Sequence, residues 1–225
     1  MIFAKIDFIN LLPFYIFIKK NLPSLQAKQI INYKKSYPSK INKSFKKRAV
    51  DGAFISSIIS QKSKCLDIGI VAKKEVFSVL IIEGKMKIDY QSDTSNALAK
   101  VLKLKGEVLI GDKALLFYHQ HKNTKDFKDL SYEWNQKYHL PFVFARLCIN
   151  KKLPTLEKVA KRFVQSKVFI PQYILKEYEL KTNIHTQQIK EYLTKISYSI
   201  GHKEKLALKK FFILSKESLK THKNN

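Results

Sequence analysis

IFAKIDFINLLPFYIFIKK, residues 2–20, is the stretch on which the fold turns. Its most apolar part, Phe8 to Ile18, is eleven residues long and holds Asn10 and Pro13, whereas a membrane-spanning helix needs about 20 apolar residues. A signal-peptide core is the other competitor. Lys19 and Lys20 follow the run, and no small-x-small cleavage site stands before Leu22-Pro23, so that reading fails as well. What remains is a buried strand over Ile2 to Ile9, a turn opened by Asn10 and a helix over Phe14 to Lys20. A strand feeding a helix through a short turn is the repeating unit of α/β proteins. No membrane association is expected, and a cytoplasmic location is.

Outward from this stretch the alternation continues. Further strands are predicted over Gln29–Tyr33, Gly52–Ile55, Asp67–Ala72, Val76–Glu83, Glu107–Ile110 and Phe142–Ile149. Helices are predicted over Ile41–Ala49, Asn96–Lys103, Ala114–Tyr118, Leu130–Lys137, Leu156–Gln165, Pro171–Tyr178 and Glu204–Leu214. The tail from Lys216 is polar and is expected to fray. The polar stretch Gly84 to Lys87 follows one long strand, and Phe142–Ile149 is able to carry the chain back. Two such crossings predict a discontinuous first lobe, residues 1–85 plus 146–225, and a second lobe, 86–145. A substrate cleft between them is the expected small-molecule site.

Hydrophobic residues make up 45% of the 225 and aromatics 12%, a globular composition. The net charge of +25 invites a nucleic-acid reading, but its make-up argues against one. Only Arg48, Arg146 and Arg162 are arginine, leaving 40 lysines spread along the chain. Arginine supplies the planar fork that grips phosphate and reads guanine. No nucleic-acid partner is therefore expected; the lysines read as solvated surface whose positive field favours capture of a small anion. Cys65 and Cys148 stand far apart without a CxxC partner, which excludes a disulfide scaffold and a zinc ribbon and suits a reducing compartment.

Most local motifs carry no chemistry. GEVLIGDK, residues 106–113, approaches a phosphate loop, but Asp112 interrupts it and its apolar centre reads as a strand. His119 and His121 lack a third ligand and read as an exposed loop pair, and no G-x-S-x-G elbow is present. Polar residues at the ends of apolar strands are more informative. Asn10 ends the first, Ser56 and Ser57 end Gly52–Ile55, and Ser92-Asp93-Thr94-Ser95 precedes a helix. Each alone reads as a cap. Three together point to an anion-binding cleft of hydroxyls and free backbone N–H groups. Ser78 is a polar residue inside the apolar run VFSVLII, so it must either bond to backbone or face a ligand.

Taken in order, FINLLPF (8–14), VDGAFISS (50–57), VFSVLI (76–81), SDTSNALAKVL (92–102), VLIGDKAL (108–115) and EWNQKYHLPFVFA (133–145) resemble the menaquinone-biosynthesis chorismate dehydratases of the futalosine pathway. ISYSIGHKEKLALKKFF (196–212) is similar to that family's closing helix. The resemblance implies an α/β, two-lobed fold like type II periplasmic binding proteins. It also implies a carbon–oxygen lyase that works on chorismate without cofactor or metal. By the same resemblance Asn10 and Ser78 are catalytic. Thr94 and Ser95 bind a substrate carboxylate, with Ser56 and Ser57 opposite. Gly111 and Asp112 form a turn in which Asp112 either caps the helix or touches ligand. Asp93 and His139 depart from the family pattern. The sister 1,4-dihydroxy-6-naphthoate synthase and a non-catalytic small-anion-binding protein are the alternatives.

Overall fold

GAFIS, Gly52–Ser56, is buried at every position. Such a strand belongs at the centre of a sheet covered on both faces. In the computed structural model, which describes residues 1–22, 32–85, 87–124 and 126–221, it is β3 of a six-stranded sheet ordered β2-β1-β3-β8-β4-β9. The other members are β1 (Ile2–Lys5), β2 (Asn32–Lys35), β4 (Cys65–Ala72), β8 (Phe142–Ile149) and β9 (Ile196–Ser199). β1 runs parallel to β2 and β3, while β8 lies antiparallel between β3 and β4. Three rings lock this layer to its helices: Phe14 of α1 (Leu12–Asn21) meets Phe54 at 4.9 Å and Phe163 of α6 (Pro154–Phe163) at 5.3 Å.

A second sheet, β6-β5-β7, contains β5 (Val79–Glu83), β6 (Gly106–Ile110) and β7 (Phe127–Asp129). α3 (Asp93–Leu102), α4 (Gly111–His121) and α5 (Leu130–Tyr138) accompany it. The chain thus leaves the large sheet after Ala72 and returns at Phe142. The sequence places the crossings near 85 and 145, because the polar stretch Gly84 to Lys87 reads as the hinge. α2 (Pro38–Lys46), α7 (Gln172–Thr182), α8 (Thr186–Thr194) and α9 (His202–Thr221) complete the described elements. Among the described residues, no helix is long and apolar enough to cross a membrane.

Several local expectations change. β1 ends at Lys5 rather than Ile9, and Ile9–Leu11 is a 3-10 turn running straight into α1, with Pro13 in the helix's first turn where its missing N–H costs nothing. Positions 29–31 of the predicted second strand lie outside the described residues. Residues 76–78 are not strand. α9 continues to Thr221 instead of fraying at Lys216. α8 is not among the predicted helices, and Ile196–Ser199, read with the closing helix, is strand β9, the helix beginning at His202. His119 and His121 sit at the end of α4, not in a loop, and the His121 ring stacks on Phe117 at 4.1 Å. His139 caps α5 in the left-handed region, φ +54, donating its N–H to the Asn135 carbonyl. Cys65 and Cys148, 83 residues apart, oppose each other across β4 and β8 and form a disulfide. Sheet register, invisible in the spacing, pairs them, so cysteine usage carries no argument about compartment.

Candidate active site

Where strand ends from both sheets converge, a cavity of about 60 Å³ is lined by Asn10, Ser56, Ser78, Ser92 and Ser95, with Phe8 and Phe144 among its apolar walls. The turn carrying Asn10 is pinned from several elements. Tyr15 accepts the Ile6 N–H at 3.1 Å, Asp112 Oδ1 accepts the Ile9 N–H at 3.1 Å, and the Tyr198 hydroxyl donates to the Asn10 carbonyl at 2.6 Å. Just before the turn, Asp7 accepts from Tyr178 at 2.9 Å and Lys181 at 2.7 Å. The Asn10 side chain is buried, and its Oδ1 has no hydrogen-bond partner. A buried carbonyl oxygen left unpaired costs stability unless something else uses it.

Ser78 reaches the cavity through strain. Phe77 before it has φ +61, an uncommon conformation for a bulky residue. Asp129 holds it there: Oδ2 accepts the N–H groups of Val76 and Phe77 at 2.8 and 2.7 Å, while Oδ1 caps α5 through Ser131 and Tyr132. The Phe77 ring stacks on Tyr118 at 4.2 Å. Burial pushes the Asp129 carboxyl up to about 6, against the pull of its four N–H donors. The Ser78 carbonyl accepts from Gly111 at 2.8 Å, and its hydroxyl from Tyr192 at 2.8 Å. Gly111 itself has φ +63, and a Cβ there would lie 2.9 Å from the Phe8 ring, so only glycine fits this turn.

The remaining candidates separate. Ser56 is held by Asn42 of α2, which donates to its Oγ at 2.9 Å and accepts its N–H at 3.0 Å. The same amide donates to Asp93 at 2.7 Å, so the acid that looked out of place beside a carboxylate site is bound by Asn42. Ser95 lines the cavity and pairs with Ser92, the N-cap of α3. Thr94 and Ser57 lie outside the lining; Thr94 Oγ1 accepts the Ile58 N–H at 3.3 Å, and the Ser57 hydroxyl is buried. Asp112 also stays outside the lining, and burial pushes its carboxyl up to about 6. Tyr192, Tyr198, Asn42 and Asp129 are the residues that sequence reasoning missed; each acts on a residue far along the chain.

A much larger groove, about 1170 Å³, lies elsewhere, between β9, α8 and the segment after α6. None of Asn10, Ser56, Ser78 or Ser95 lines it. The small cavity is the candidate site because the polar strand ends meet there.

Residues 85–217 match a family model described as menaquinone biosynthesis. A chorismate dehydratase of Campylobacter jejuni is 45% identical over 215 residues, covering 94% of this chain and 96% of the relative. The chain belongs to the menaquinone-biosynthesis chorismate dehydratase family. That relationship makes it an enzyme with a small-molecule substrate, and the fold agrees with solved structures. An Archaeoglobus fulgidus protein superposes with a TM-score of 0.69 at 12% identity, covering 96% of both chains. A Candida albicans protein, described as having the generic periplasmic binding protein fold, superposes with a TM-score of 0.56 at 10% identity, covering 98% of this chain and 94% of that one. The chorismate dehydratase family fold here is accordingly the two-lobed α/β fold of periplasmic binding proteins.

Proposed function

We propose that this enzyme is a hydro-lyase that eliminates water from chorismate to give 3-[(1-carboxyvinyl)oxy]benzoate, the two bodies built on its two sheets enclosing the substrate. The observation that carries this reading is the unpaired, buried Asn10 Oδ1 beside the Ser78 hydroxyl in one cavity, in a chain 45% identical to a named chorismate dehydratase.

The chemistry asks for few groups. The proton to be lost sits on the ring carbon that bears the enolpyruvyl ether. That carbon is conjugated through a double bond to the ring carboxylate, so its electron pair delocalises toward the carboxylate as the proton leaves. Expulsion of the neighbouring hydroxyl as water then completes the aromatic ring. Such a downhill step needs orientation and donors placed where charge develops. Ser78 donates to the delocalised anion, and Asn10 holds the departing hydroxyl. Ser56 at the end of β3 and Ser92 and Ser95 at the start of α3 suit a carboxylate, since a helix start offers free N–H groups. Among the described residues, the cavity lining contains no Asp, Glu, His or Lys. In this reading a substrate carboxylate takes the ring proton and passes it to the departing hydroxyl, which leaves as water.

Incubation of the purified protein with chorismate, followed by ultraviolet absorption, tests the reading. Appearance of the substituted benzoate with consumption of chorismate is expected; chorismate recovered intact would remove it.

A further inference from the structure

We propose that Tyr192 is a positioning residue that fixes the direction of the hydrogen bond Ser78 offers the substrate. The inference rests on the reading of the cavity as the dehydration site, and it concerns a residue of α8 that does not line that cavity.

Tyr192 is 1% exposed. Its hydroxyl donates to Ser78 Oγ at 2.8 Å. A phenol has one proton, and here it is directed at the serine oxygen. Ser78, having accepted one bond, keeps its own O–H for another acceptor. The pair Tyr192 O–H to Ser78 O–H therefore ends with a hydroxyl donor toward the cavity that Ser78 lines.

That polarity matches the reaction. A donor beside the developing anion stabilises it, whereas an oxygen lone pair turned there would not. Without Tyr192 the serine hydroxyl rotates freely. Preorganised donors act because they need no reorientation as charge appears. Burial also pushes the Tyr192 phenol well above its ordinary range, with the Ser78 bond pulling the other way, so the proton stays on the oxygen near neutral pH.

The test is a double-mutant cycle with Tyr192→Phe and Ser78→Ala, assayed on chorismate with the thermal midpoint of every variant. Tyr192→Phe keeps the ring and is expected to lower kcat by about tenfold or more with KM within about twofold, the pattern of a transition-state interaction. Combined with Ser78→Ala it is expected to lower kcat no further than Ser78→Ala alone. Multiplicative losses, or a Tyr192→Phe enzyme with unchanged kcat while Ser78→Ala is impaired, would overturn the proposal alone. Full turnover in Ser78→Ala would remove the reading of the site and the proposal with it. Site-specific 3-fluorotyrosine at 192 keeps the question open to measurement if Tyr192→Phe does not fold. A fluorinated phenol is a stronger donor, so kcat at or above the native value is expected, and a fall would count against the relay.

Discussion

At the residue scale, Asn10 and Asp112 call for opposite experiments. Asn10→Ala removes the one unpaired acceptor in the cavity. It is expected to cut kcat by about a hundredfold, the scale for one preorganised group, while the thermal midpoint stays near the native value. A loss of stability with native turnover in the folded fraction would make Asn10 structural. Ser95→Ala is expected to raise KM chiefly, since a carboxylate anchor binds ground and transition states alike. Asp112 is a matter of pH. Its folded carboxyl is raised to about 6 by burial, whereas the unfolded group titrates near about 3.9. Between those values the folded chain holds a proton that the unfolded chain has released, so this group's contribution to stability falls as pH rises from about 4 to 6. Asp112→Asn keeps an oxygen for the Ile9 N–H and removes the charge. Its melting temperature relative to native is expected to rise across that window, and an unchanged difference from pH 4 to 7 would refute the assignment.

The elements explain how such a site is held. A 3-10 turn and a strained crossing segment, not a strand, present Asn10 and Ser78, and each is clamped by a carboxylate at a helix start: Asp112 on α4 and Asp129 before α5. Asp129 does two jobs, capping α5 and holding Phe77 at φ +61. Asp129→Ala would leave four backbone N–H groups without their acceptor, two of them in a strained segment. A loss of more than about 3 kcal/mol in urea unfolding is expected, because unsatisfied buried donors cost about 1–3 kcal/mol each. A loss below about 1 kcal/mol, the scale of a single helix cap, would mean the clamp contributes little beyond capping.

For the whole molecule, the cavity is the constraint. At about 60 Å³ it has room for only a few waters, so a ten-carbon dicarboxylate enters only when the two bodies part. Polar contacts join them at the cavity mouth, among them Ser39 N–H to the Gln91 carbonyl at 3.0 Å, Asn42 to Asp93, Ile58 N–H to Thr94, and Ile9 N–H to Asp112. Small polar contacts of this kind break at low cost. Hydrogen exchange is expected to be faster at the amides of Ser39, Ile9 and Ile58 than in β3, and to slow when the benzoate product is added. Core-like protection at all three without ligand would mean that substrate enters another way.

Much was legible before the fold. Phe142–Ile149 and the start of α5 at Leu130 match the sequence reading, because an unbroken apolar run and a 3.6-residue period are local properties. The α/β class and the polar residues at strand ends were readable for the same reason. The 3-10 turn at Asn10 and the break at Phe77 were not, since each looks like strand until a carboxylate 103 or 52 residues away fixes the backbone. Tyr192 is 114 residues from Ser78, Tyr198 is 188 from Asn10, and Cys65 is 83 from Cys148. The sequence alone determined which residues are apolar, where the period changes and which polar groups end the strands, because neighbours along the chain set those. Only the tertiary structure decided which hydroxyl faces which amide and where the chain crosses between sheets, because those depend on contacts between segments whose separation along the chain carries no trace of them.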